Sequence, residues 1–417
     1  MHVTILALGS HGDVLPYALL GGALRRAGHE VRLATFAGFA PMAAQHDLVL
    51  HSVEGDAASL MQSGGGLALS EAGQSIPRML RGIRRSFGAM ADAYGRAFAD
   101  PSLRQADLIV NQLPGGLYAT DLAEKAGLPL VHGSVIPLTP TRAMPMPAFP
   151  QWPASLPGYN RLTYRLAEQL VWQMFRRAVN RWRQEALGMP AAPFWGRMRL
   201  PGVPVLNAFS RHVVPRPPDW GSHVHLTGYW FAEDEAWQPP DALCRFLEEG
   251  APPVFVGFGS MPVRQPQQTA SLLLEALRRS GQRAILHTGW ARLPANAMPE
   301  DVYALDYAPY SWLFPRMAAV VHHGGAGTTG AALRAGVPSL VVPFLFDQFF
   351  WGRRLQALRV GPAPYPFKKL SATTLAQAIR RMVEDRDMQR RAATLGAKIR
   401  AEDGLARAVV LVEEYGC

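Results

Sequence analysis

Cysteine is nearly absent: Cys244 and Cys417 are the only two in 417 residues, which excludes a disulfide framework and leads us to expect a reducing cytoplasm. Long apolar runs are missing too. No stretch approaches the roughly 20 residues that a membrane-spanning helix needs. The opening MHVTILALGS lacks a basic region and a cleavage site, so it is expected to form a first strand rather than a signal peptide. The dinucleotide fingerprint GxGxxG does not follow that strand, which argues against a dehydrogenase. Zinc spacings, a basic helix-turn-helix pattern and RNP-like aromatic strings are also missing, so no nucleic-acid partner is expected.

What is present is enough chain for two domains, each with its own core. The net charge of +10 leaves two partners open once nucleic acid is set aside: an anionic membrane surface or an anionic substrate. An arginine-rich surface of no functional meaning is the plain alternative.

Along the chain, apolar runs of strand type alternate with amphipathic stretches. Residues 2–8, a polar loop GSHGD, a helix over 15–27 and a strand over 30–34 make a βαβ opening, which predicts an α/β fold with parallel, doubly wound sheets. Asp13 falls in the loop after the first strand. Residues 63–66 read as a loop and 76–99 as a helix. A helix over 161–187 carries Leu162, Leu166, Leu170, Met174 and Ala178 at spacing of four, with Arg161, Arg165, Arg176, Arg177 and Arg181 off that row. The ordinary reading is a packing helix; the sharper one is a basic face in weak peripheral contact with anionic lipid. Prolines at 215–218 and 239–240 bracket a linker. The expected organisation is a first domain over 1–218, a linker over 219–240, a second domain over 241–400, and a terminal helix over 401–417 packing back on the first domain.

The most informative stretch is VVHHGGAGTTGAALRAGVPSLVVPFLFDQFFWG, residues 320–352. A strand ends in a glycine-rich turn that opens a helix. Such a junction presents unpaired backbone N–H groups and the positive end of a helix dipole, which suit an anionic group, phosphate above all. The plain alternative is a tight turn and nothing more. Thr328 and Thr329 add hydroxyls, and His323 adds an imidazole donor. The next strand delivers Asp347 and Gln348 at its carboxyl end, where open α/β sheets bind ligands, and an acid beside an amide suits sugar hydroxyls.

HHGGAGTT, AGVP and PFLFDQFFWG closely resemble the nucleotide-sugar segment of family 1 glycosyltransferases, in their sterol glucosyltransferase and antibiotic glycosyltransferase branches. GSHGDVLPYALLGGALRRAGHEVRLAT, TPTRAMPMPAFP, GYWF, VFVGFGSM, WLFP and GPAPYPFKKL extend the resemblance over nearly the whole chain. It implies a GT-B fold, two Rossmann-like domains facing across a cleft, with acceptor held by the first and sugar nucleotide by the second. It also implies inversion at the anomeric carbon with no metal and no cofactor beyond a UDP-sugar co-substrate.

Position by position, the resemblance implies that Asp13 is the base that takes the acceptor's proton; His11 is left as a candidate assistant, with a satisfied loop histidine as its plain and favoured alternative. The residue-level alternative for Asp13 is a helix N-terminal acid stabilised by the dipole. Many relatives hold a histidine there with a supporting aspartate; this chain has Asp13 with Asn111 and Gln112 near the supporter's place. On the donor side the resemblance assigns diphosphate to Ser260, His323, Gly325, Gly327 and Thr328, the nucleobase to Tyr307, and sugar hydroxyls to Asp347 and Gln348. Ala331 stands where plant members carry a ribose-binding glutamate.

The expected activity is transfer of a hexose, glucose from UDP-glucose, to a hydroxyl of a hydrophobic acceptor such as a sterol or polycyclic natural product. A dTDP-deoxysugar transferase of antibiotic or glycolipid synthesis is the alternative. A non-catalytic nucleotide-sugar-binding module is a third reading.

Overall fold

The computed structural model describes residues 1–56, 75, 78, 81, 91, 93–112, 116–151, 158–195, 202–231, 237–259, 261–288 and 298–416. The expected loop at 63–66 lies outside them, as does most of the helix expected over 76–99.

Two compact units share the chain. Among the described residues, the first holds those from Met1 to Asp56, from Arg78 to Phe231 and from Asp403 to Gly416; the second holds Ser75 and those from Trp237 to Glu402. In the first run β1 (His2–Leu6), α1 (His11–Arg26), β2 (Glu30–Phe36), α2 (Ala40–Gln45), β3 (Val49–Val53), β4 (Leu108–Gln112), α3 (Ala119–Ala126), β5 (Leu130–Ser134), α4 (Tyr159–Glu185), β6 (Val205–Asn207) and β7 (Val224–Leu226). All pairings are parallel, in the order β3-β2-β1-β4-β5-β6-β7. Strands buried on both faces explain the unbroken apolar runs. One face packs Val3, Ile5, Leu108, Val110 and Val131 against α1; the other packs Leu6, Ile109 and Leu130 against α3 and α4.

The first unit runs on to Phe231 because Val224–Leu226 pairs with Val205–Asn207 as a seventh strand, inside the stretch read from the sequence as linker. Its last element is α12 (Gly404–Gly416), at the far end of the chain. Leu405, Ala408, Leu411 and Val412 join the α1 core, and Glu413 meets His29 at 2.9 Å while Tyr415 meets His225 at 2.8 Å.

The second unit holds α5 (Asp241–Glu248), β8 (Val254–Gly257), α6 (Pro266–Ser280), β9 (Ala284–His287), β10 (Val302–Leu305), α7 (Tyr310–Leu313), β11 (Ala319–His322), α8 (Ala326–Ala335), β12 (Ser339–Val341), α9 (Gln348–Ala357), α10 (Ala372–Glu384) and α11 (Arg386–Arg400). Its five strands are parallel, in the order β10-β9-β8-β11-β12. Both units therefore repeat one winding, in which the chain first builds outward to one side and then returns to the other side of the starting strand.

The buried face of α4 differs from the expected one. Tyr164, Trp172, Val179, Trp182 and Arg183 are buried, whereas Leu162 and Leu166 are 50% and 45% exposed. A row at spacing of four advances about 40° per step on a helix of 3.6 residues per turn, so over four turns it winds off any single face. Arg183 is held inside by an ion pair with Asp121 of α3.

Candidate active site

In each sheet the winding reverses beside its first strand, between β1 and β4 and between β8 and β11. Crevices at the carboxyl ends of strands at such reversals are where open α/β sheets bind ligands. Asp13 follows β1, and His323 follows β11.

Asp13 is not in a loop. Ser10 is an extended N-cap, and α1 begins at His11, four residues earlier than the apolar pattern predicts, so Asp13 is its third residue. Its Oδ2 accepts the backbone N–H of Ser10 at 2.8 Å and the Ser10 hydroxyl at 2.7 Å, the acid's half of a capping box. Among the described residues its Oδ1 accepts no hydrogen bond. Burial raises the Asp13 carboxyl above the ordinary carboxylate range, and the two bonds from Ser10 pull the other way. Burial and the Asp13 charge also push up the phenols of Tyr17 and Tyr94. Gly9, at φ +136°, belongs to the same arrangement, since a Cβ there would lie 2.6 Å from Asp13 Oδ2.

Gln112, at the end of β4, accepts the Leu8 N–H at 2.8 Å and reaches the Asp13 carbonyl at 3.4 Å. It fixes the backbone of the turn rather than the carboxylate. Asn111 points elsewhere, to Nδ1 of the buried His132 at 3.3 Å. His11 is exposed on the first turn of α1, its ring 6.5 Å from that of Phe39.

In the second unit the turn after β11 is built from within. His322 is fully buried, and its Nδ1 accepts the Gly324 N–H at 3.1 Å. Burial holds its pKa down to about 3, so the ring is neutral. Gly324, at φ +94°, crosses where a Cβ would meet Val341 at 2.5 Å and the Gln348 carbonyl at 3.1 Å, which brings the turn against the start of α9. His323 lies between two glycines: a Cβ on Gly259 would sit 3.0 Å from its Cε1, and one on Gly325 2.6 Å from its Nε2. Its Nδ1 is buried with no hydrogen-bond partner among the described residues. Burial first, then the neighbouring His287, lowers its pKa to about 4. A neutral imidazole is thus offered as a hydrogen-bond donor, not as a charge.

Helix α8 opens on Gly325, which supplies no side-chain cap, and its first turn carries no acid. Its first N–H groups, at Ala326, Gly327 and Thr328, have no intrahelical acceptor. Gly327 is exposed, and a Cβ there would touch nothing within 4 Å. Thr328 shares a hydrogen bond with the phenol of Tyr310, which burial raises to about 12. Thr329, next along, buries its hydroxyl with no partner among the described residues.

Beyond β12, Phe346 adopts φ 47°, a strained position for a bulky side chain, directly before the expected sugar-binding pair. Asp347 stands at the N-cap of α9, and its Oδ2 accepts the Trp351 indole N–H at 2.9 Å. Gln348 is committed differently from the expectation. Its Oε1 accepts the N–H groups of Phe344 and Leu345 at 2.7 and 3.1 Å, and its Nε2 meets the sulfur of Met261 at 3.2 Å. The amide ties down the strained loop and leaves one N–H for any ligand. Tyr307 is 60% exposed at the end of β10, and Ser260 lies outside the described residues.

Residues 271–410 match the family described as "Erythromycin biosynthesis protein CIII-like, C-terminal domain". Over 98% of its length the chain is 38% identical to a sterol 3-beta-glucosyltransferase of Neosartorya fischeri, of which it spans 29%. It is 34% identical over 98% of its length to the sterol 3-beta-glucosyltransferase UGT80B1 of Arabidopsis thaliana, of which it covers 67%. The chain belongs to the sterol 3-beta-glucosyltransferase family. Among solved structures, the glycotransferase of kitacinnamycin superposes with a TM-score of 0.72 at 19% identity, covering 99% of this chain and 98% of that one. The fold of this sterol glucosyltransferase-family chain is accordingly GT-B, two parallel α/β units. The chain spans less than a third of the length of its fungal relative.

Three features escape motif reading in this family member: the Thr328–Tyr310 bond, the Gln112 brace and the half-buried His287 beside His323. Only the brace had a signal. Gln112 ends the strand that parallel topology sets beside β1.

Proposed function

We propose that the protein is an inverting, metal-independent glycosyltransferase that moves glucose from UDP-glucose to the hydroxyl of a sterol or a similar apolar polycyclic acceptor. The observation that carries this reading is likeness over 98% of the chain to proteins named sterol 3-beta-glucosyltransferases. The geometry supplies a chemistry for it. Asp13, its proton affinity raised by burial, takes the acceptor's hydroxyl proton through Oδ1. The acceptor oxygen bonds to the anomeric carbon as the bond from that carbon to the diphosphate oxygen breaks, with inversion. Charge gathering on the leaving diphosphate meets the open N–H groups of α8, its dipole and the neutral imidazole of His323, donors fixed before the reaction begins. Asp347 and the remaining N–H of Gln348 take the sugar hydroxyls, and Tyr307 lies against the nucleobase.

A dTDP-deoxysugar transferase is the second reading, favoured by the erythromycin-type family that matches residues 271–410. One experiment tests both. The protein is incubated in EDTA with UDP-glucose, or with a panel of UDP- and dTDP-sugars, and a library of sterols and macrolides. Mass spectrometry then reads the products. A sterol heavier by one hexose from UDP-glucose is the expected result. Transfer from dTDP-sugars only, or no transfer to any sterol, overturns the first reading.

A further inference from the structure

Away from these turns, the outward face of α4 carries a surface that the reaction does not use. The segment after the helix doubles back along it. The Asn180 amide donates to the Ala192 carbonyl and accepts the Ala192 N–H, and the side chains of Gln169, Trp172 and Gln173 all donate to the Phe194 carbonyl, at 3.1, 2.9 and 2.7 Å. Three donors on one carbonyl fix the backbone at the point where the chain displays two exposed aromatics side by side. Phe194 is 51% exposed and Trp195 74%, with their rings edge to face at 5.1 Å. Leu166 lies one turn from Gln169 toward the helix start and Leu162 one turn further, both exposed on the same side. An outward row of two leucines and two aromatics, held rigid at one end, is a costly surface to leave in water.

The charges around it have one sign. Arg176 lies over the Phe194 ring at 5.2 Å, and Arg165 and Arg177 are exposed on α4, whereas Arg161 is taken by Asp219. The helix carries only two acids, Glu168 and Glu185. Apolar side chains with an interfacial tryptophan, flanked by arginines whose stems lie along the apolar surface, complement one partner above others: a bilayer with anionic headgroups.

We propose that the outward face of α4, with Phe194 and Trp195, docks the protein on an anionic lipid surface, the aromatics entering the headgroup region and Arg165 and Arg177 pairing with phosphates. This assignment stands independently of which sugar or acceptor is used.

The test is flotation of the full chain with vesicles of phosphatidylcholine alone, or of phosphatidylcholine and phosphatidylglycerol in equal parts, at low and high salt. The unmodified protein is expected to float with the anionic vesicles and to be released by salt. A Phe194→Ala/Trp195→Ala variant should lose about tenfold in partitioning, and Arg165→Glu/Arg177→Glu at least as much, since each arginine near such a surface contributes roughly a fivefold preference. Both pairs lie on the surface, so thermal midpoints should stay within a few degrees, which separates lost docking from lost fold. Failure of the unmodified protein to float, or flotation unchanged in both variants, overturns the proposal. So does a concentration-dependent dimer that dissolves in Trp195→Ala, because the face would then be an interface between two copies.

Discussion

The turn after β1 and the turn after β11 occupy the same place in two sheets of the same winding, yet they are finished in opposite ways. In the first, the helix start is closed by its own side chains: Ser10 caps it, and the carboxylate of Asp13 sits among the dipole's positive end groups. In the second, a glycine stands at the cap, no acid enters the first turn, and the adjoining histidine is neutral. A carboxyl group already fills the first helix start and leaves no place there for an anion. The second is open to one. Under the proposed function, the same junction serves as a seat for a base or a seat for a leaving group according to whether the third helical residue is Asp13 or Thr328. The dipole that would favour an ionised Asp13 is opposed by burial, so neither of its two sequence readings stands alone.

Removing the acid from the closed turn is the largest expected perturbation. Asp13→Asn should lower kcat by about 100- to 10,000-fold, the range for loss of a general base, while UDP affinity measured by calorimetry stays unchanged. Near-normal turnover would leave Asp13 as a cap only. In the open turn, His323→Ala should cost about 100-fold in kcat, the scale for one preorganised donor to a developing anion. Making the open turn resemble the closed one sharpens the contrast. Gly327→Asp places a carboxylate in the first turn of α8, at a position with room for it. UDP affinity should fall about tenfold or more through like-charge repulsion, while stability rises by a few tenths to about 1 kcal/mol from the helix dipole. Unchanged affinity would mean that the diphosphate does not sit at α8.

The two histidines of the open turn also set an acid limit on stability. His322 and His323 are held neutral with folded pKa values of about 3 and about 4, against 6.5 when unfolded. The unfolded chain therefore binds more protons than the folded one below pH 6.5, and stability falls as pH drops from there toward 4. Melting temperatures across that window should decline, and His323→Gln should flatten the decline.

How much of this contrast could be read from the chain differs between the turns. The open one is legible because its character lies in what glycine permits, and HHGGAGTT states that directly. The closed one is misread by four residues: the apolar pattern starts at Leu15, whereas the serine and acid three apart at Ser10 and Asp13 are the true helix start. Gln348 shows a different limit. Its identity suits a sugar, but no sequence tells that two backbone N–H groups of a strained loop claim its oxygen first. On α4 the row at spacing of four points to one face, but Trp172, Val179 and Trp182, packed in the core, set the register. Two tryptophans ten residues apart, with Val179 between them on the same face, outweigh leucines, because each tryptophan buries more apolar area. The three-residue strand Val224–Leu226 is too short to carry any period at all.

The smallest expected change acts on the closed turn alone. Ser10→Ala removes one of the two hydrogen bonds on Asp13 Oδ2 and leaves the backbone N–H in place. Those bonds lower the acid's pKa against burial, so losing one should raise it and move the acid limb of the kcat–pH profile upward. Above that limb Asp13 is ionised in both proteins, and turnover should differ little. Stability should drop by about 1 kcal/mol for the lost hydroxyl–carboxyl bond. The equivalent experiment at the open turn has no analogue, since Gly325 contributes no side chain to remove. A pH profile that does not move while stability falls would separate the cap from the base and leave Ser10 only a structural part in the first turn.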